Sequence, residues 1–150
     1  MDKRIIRECL LQLLKVYVYA EQQYLHSAID SLHLSLNIFY RQRAFERSDF
    51  ILQIQDELDK LGSSLCMDKT VEAFYEWHYD LYGGASLEDW PVTNIHAMNI
   101  DEKGLEICNC LLNDKLPVRT HRIIERHRTR IESSLLSFTY LKALYKNNQQ

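Results

Sequence analysis

From Asp2 to about Leu32 apolar residues return at Leu10, Leu13, Tyr17, Ala20, Tyr24, Ala28 and Leu32, with no glycine or proline between. Steps of three and four from Leu10 to Leu32 keep one face of an α-helix apolar and fit no strand. A second such run, Leu34 to Leu61, carries Leu36, Phe39, Phe50, Ile54, Leu58 and Leu61. The break falls near His33. Gly62 ends the second helix, followed by Ser63-Ser64. Further on, Asp68 can cap a short helix over 69–82 that Gly83-Gly84 stops. Pro91 suits the first turn of a helix reaching about Asn113, Pro117 closes a tight turn, and a last helix covers 118–146. With 4 Gly and 2 Pro in 150 residues, most of them punctuation, the chain reads as all-α and residues 1–150 as one domain.

Connection lengths select the topology. The first two helices are tightly joined, as are the last two, so each pair is an antiparallel hairpin. Between them lie roughly 30 residues, enough to cross a bundle end to end. The expected fold is an antiparallel four-helix bundle of ferritin-like topology, with a long crossover containing a short helix.

Charged residues interrupt the apolar stripes at one depth. Glu21 lies beside the first stripe. Arg43 lies in the second, flanked by Glu46 and Arg47. Glu102 falls in Ile95, Met98, Glu102, Leu105, Asn109, Leu112, and Arg128 in Ile124, Arg128, Ile131, Leu135, Phe138. Each lies about twelve residues from its nearest tight turn, the middle of a helix spanning about 38 Å at 1.5 Å per residue. Di-iron carboxylate bundles bind metal at that layer, with Glu from two helices and Glu-x-x-His from the other two. Here the paired positions read Glu46-Arg-Ser-Asp49 and Glu125-Arg-His-Arg128. A guanidinium has no free lone pair and repels a cation. The expectation is a buried ion-pair layer of Glu21, Arg43, Glu46, Arg47, Glu102 and Arg128, with no cofactor. The alternative is an atypical site for iron or manganese using Glu21, Glu46, Asp49, Glu102 and Glu125.

Several segments resemble an uncharacterised family of ferritin-like four-helix bundles, a domain of unknown function. Glu21-Gln-Gln-Tyr24-Leu-His-Ser-Ala28 is similar to its Glu-x-Gly-Tyr-x-x-Ala-Ala segment, with Gln23 at the glycine. Leu36 through Arg43, Glu46, Arg47 and Phe50 to Leu61-Gly62 resembles its second helix. Trp77, Asp101–Glu106, Leu116-Pro117 and Ile124–Ile131 complete the likeness. The resemblance implies the same fold and brings no activity, substrate or cofactor.

Function is less legible. Net charge is −3 with no basic stripe, which argues against nucleic acid as a partner. No run reaches membrane-spanning length and Met1-Asp2-Lys3-Arg4 leads into no signal peptide, so a cytoplasmic protein with reduced cysteines is expected. Cys108-x-Cys110 puts its thiols on different faces of a helix, and the six histidines lack ligand spacing. Neither a nucleophile beside a base nor a phosphate loop is visible, which points away from an enzyme. The crossover is rich in aromatics: Phe74 and Trp77 mark one stripe, Tyr75, Tyr79 and Tyr82 another, and Trp90 follows. Tyr75, Tyr79, Tyr82 and Trp90 are the expected interface, since aromatics concentrate at protein contacts. The sequence thus reads as a non-catalytic helical bundle acting as a homodimer or with a protein partner, the metal-binding bundle being the alternative.

Overall fold

The computed structural model describes residues 2–62 and 90–149, with side chains at 30, 90–97, 142 and 145–149 left aside. The described residues form four helices and no strand: α1 (Lys3–Asp30), α2 (Leu34–Lys60), α3 (Trp90–Leu112) and α4 (Val118–Gln149). The expected crossover helix, with Phe74, Tyr75, Trp77, Tyr79 and Tyr82, lies outside the described residues, as does the Trp90 side chain.

Local chemistry sets the helix ends. The carboxylate of Asp2 accepts from the Arg4 amide at 3.1 Å and so caps α1, satisfying one of its orphan donors. Ser31 is extended, and Leu32 lies wholly exposed in the turn. The next helix caps the open carbonyls of α1, for Asn37 Nδ2 donates to the Ala28 carbonyl at 2.6 Å. Arg7 of α1 returns the favour at the far end of α2, donating to the Leu61 carbonyl at 2.6 Å. Gly62 takes φ of 79°, the left-handed conformation that ends α2 and that side chains resist. Pro117 offers its carbonyl to the His121 amide at 2.9 Å as α4 begins.

Paired residues along α1 and α2 run in opposite order: Arg7 meets Leu61, Glu21 meets Ser48, and Ala28 meets Asn37. The core holds Leu10, Leu13, Leu14, Tyr17, Ala20 and Tyr24 of α1 with Phe50, Ile54 and Leu58 of α2. Ile100, Ile107, Leu111, Ile124, Ile131 and Phe138 close it from α3 and α4. Gly104 of α3 packs against α1 and α4, where a Cβ would stand in ordinary contact, 3.4 Å from Val16 Cγ1 and 3.7 Å from Ile131 Cδ1. No described helix is long and apolar enough to cross a membrane.

Candidate functional site, a polar layer in the bundle core

The α2 face that carries Tyr40, Ala44, Ile51 and Ile54 inward also carries Arg47, whose side chain is 0% exposed. Burying a guanidinium is costly unless its donors are met, and here they are. Nε and Nη2 donate to the two carboxylate oxygens of Asp101 at 3.2 and 3.1 Å, a bidentate pair. Nη1 donates to Glu46 at 2.6 Å, and Nη2 also reaches Ser134 Oγ at 3.5 Å. The guanidinium carbon lies 5.0 Å from the Phe50 ring centroid and 5.8 Å from that of Tyr24. Tyr24 donates its hydroxyl to Asp101. Burial is the strongest single influence on Arg47 and opposes its charge, but Asp101, Tyr24 and Glu46 together outweigh it and hold the group more firmly protonated than usual. Burial, with Asp101 adding to it, pushes the Tyr24 phenol well above its ordinary range.

A second chain of polar groups lies beside the first, with Phe50 between them. His127 stacks on Phe50 with centroids 3.9 Å apart. Gln53 Oε1 sits 2.6 Å from Nε2, so Nε2 is the protonated nitrogen. Nδ1 then accepts from the Tyr17 hydroxyl at 3.0 Å, and the Cys108 thiol donates to the Tyr17 oxygen at 3.5 Å. Burial first, then Arg47, Arg126 and Arg130, push His127 from 6.5 down to about 3. Burial raises Cys108 to about 11 against the opposing pull of Tyr17 and Arg47. At neutral pH the imidazole is uncharged with both nitrogens engaged, and the thiol keeps its proton. Neither is poised as a base or a nucleophile.

The structure places the expected layer residues unequally. It joins Glu46 and Arg47. Glu21 is half-buried and accepts from Ser48, while Arg43 is half-buried, lies over Phe39 and donates to Ser134 at 3.3 Å. The carboxylate that meets Arg47 from α3 is Asp101, 1% exposed; its neighbour Glu102 is exposed, and Arg128 is half-buried. In the alternative metal set, Asp49, Glu102 and Glu125 are exposed, with Glu125 3.7 Å from His121. Among the described residues no three His, Cys, Asp or Glu side chains are grouped to hold a metal ion. Cys108 is buried and Cys110 exposed, as their spacing requires.

Sequence reasoning missed Asp101 and Cys108 because the α3 stripe was read one residue out of phase, and His127 and Ser134 because the α4 stripe was taken one residue late at those two steps; Tyr17 stood in its stripe without a polar partner, and Gln53 was not singled out. The buried line of α4 is Thr120, Ile124, His127, Ile131, Ser134 and Phe138, strict steps of four and three. On α3 it is Ile100, Gly104, Ile107 and Leu111, flanked by Asp101 and Cys108. The stripes through Arg128 and Glu102 alternate in threes and fours as regularly as those through His127 and Gly104, so spacing alone does not separate them. No protein-family model matches this chain, and a search of curated proteins gives no match.

Proposed function

We propose that this chain is a non-catalytic helical bundle that acts by association, with itself or with a protein partner, and that its buried charges serve to fix helix pairing. The observation that carries the reading is large apolar surface on the outer helix faces: Phe45 and Leu52 on α2, Leu136 and Tyr140 on α4. The paired state of Arg47, His127 and Cys108 supports it, since Arg47 is engaged by Asp101 and Glu46, His127 by Tyr17 and Gln53, and Cys108 by Tyr17. A polar layer of this kind contributes more to register than to net stability. Solution mass by light scattering, with partner capture from extract followed by reconstitution from purified components, tests the reading. A chain that stays monomeric at all concentrations and reconstitutes with no partner contradicts it.

The same reading takes the layout as an antiparallel ferritin-like bundle, two hairpins joined by one crossover, in the family of unknown function that the sequence resembles. It is supported by the order of contacts. Tyr17 meets Cys108 and Tyr24 meets Asp101, so α1 and α3 oppose each other as α1 and α2 do. Arg47 meets Ser134, Gln53 meets His127, and Glu57 meets Thr120, an opposed order for α2 and α4.

A further inference from the structure

The outer face of α2, turned away from Arg47 and the core, carries Ile38, Phe45 and Leu52 at 45%, 80% and 65% exposure. Arg41 and Asp49 lie between them, both exposed. At about 100° per residue these five positions fall within an arc of about 80°, and Ile38 to Leu52 spans about 21 Å. An outward face of this length normally carries charge throughout.

The spacing is symmetric. Ile38 and Leu52 each stand seven residues from Phe45, one on either side, and Arg41 and Asp49 each stand four away. If two copies of α2 cross in opposite directions on a two-fold axis at Phe45, each residue meets the one at equal distance beyond the axis. Ile38 then meets Leu52 twice, Arg41 meets Asp49 twice, and the two Phe45 rings meet at the centre. Within the stretch no like charges are brought together. Leu34, also exposed, comes level with Asp56 and falls outside it. Self-complementarity is the requirement of an isologous interface. A groove of about 390 Å³ opens beside Phe45, lined by Arg41, Asp49 and Arg130 among others. An aromatic ring from the second copy can lodge there against guanidinium groups.

We infer that the outer face of α2 docks a second copy of this chain, antiparallel, with Phe45 on the axis. The inference rests on the association reading above and names its partner and surface. Charge complementarity selects the second copy over an unrelated helix, because an unrelated helix carries no reason for Arg41 and Asp49 to mirror each other.

Light scattering of the full chain tests it. The intact chain is expected at about 36 kDa, twice its 17.8 kDa. Phe45→Arg is expected to weaken the dimer by roughly a hundredfold, and Arg41→Asp or Asp49→Arg by at least about tenfold. The double variant Arg41→Asp with Asp49→Arg restores it. Far-UV circular dichroism checks that each variant keeps its helices; all three side chains are exposed, so the fold does not depend on them. A dimer that persists unchanged in Phe45→Arg overturns this surface and leaves the association reading standing. An intact chain that is monomeric throughout overturns both this inference and self-association. Single variants that break the dimer without rescue by the double swap overturn the two-fold register.

Discussion

Replacing Arg47 with Met removes the fully buried cation of the polar layer while keeping much of the side chain's length. Asp101, 1% exposed, then keeps only the Tyr24 hydroxyl among the described residues after losing bonds of 3.2 and 3.1 Å. Stranding one partner of a buried pair costs about 3–5 kcal/mol. Asp101→Asn costs less, about 2 kcal/mol, because Arg47 retains Glu46, itself 13% exposed and able to draw on solvent. The double variant removes both charges, so its cost falls short of the sum of the singles by about 1–3 kcal/mol. Urea unfolding followed by far-UV circular dichroism at pH 7 and fixed protein concentration measures all four corners of the cycle. In thermal melts, about 4 kcal/mol corresponds to roughly 8–16 °C for a chain of this length. Arg47→Met within about 0.5 kcal/mol of the intact chain, or strictly additive singles, refutes the claim that this pair is buried and mutually satisfied.

Acid should expose the cost of His127. The unfolded chain takes up that proton below its ordinary 6.5, whereas the folded chain resists to about 3. The contribution is therefore complete above about pH 6.5 and is lost as pH falls toward 3, by at most about 1.4 kcal/mol per pH unit. The stability gap between the intact chain and His127→Gln narrows across that window in pH-dependent urea titrations; a constant gap counts against a neutral buried imidazole. At Gly104 a methyl group meets Val16 at an ordinary 3.4 Å. Gly104→Ala is thus neutral or stabilising by up to about 1 kcal/mol through helix propensity. Gly104→Leu overpacks the contact between α1 and α3 and costs about 1–3 kcal/mol. Thermal melts of both decide it, and equal effects of Ala and Leu contradict a site with room for a methyl group and no more.

The helices were legible because their signals are local. Asp2, Gly62, Pro117 and the helical spacing of apolar residues placed the ends of α1, α2 and α4 to within a few residues, and the break at His33 falls where α2 begins. The inner layer was only half legible. That an arginine of α2 enters the core followed from charge interrupting an apolar stripe, but which one depended on helical phase. Arg43 and Arg47 lie one turn apart, and only the packing of Phe50 and Tyr24 around one guanidinium separates them. Asp101 and Glu102 differ by 100° of rotation, which Gly104 settles by turning its bare side toward Val16 and Tyr17. Pairings such as Tyr17 with His127 join residues 110 apart, and no local pattern in either helix marks them.

A guanidinium and a carboxylate occupy the centre of the bundle, Arg47 against Asp101. A crystal structure of the chain after soaking in manganese(II), with an anomalous difference map, examines that centre directly. The expected map shows Arg47 bridging both oxygens of Asp101 and no anomalous peak between the four helices. A peak coordinated by Asp101 and Glu46, with Arg47 swung toward solvent, would contradict it.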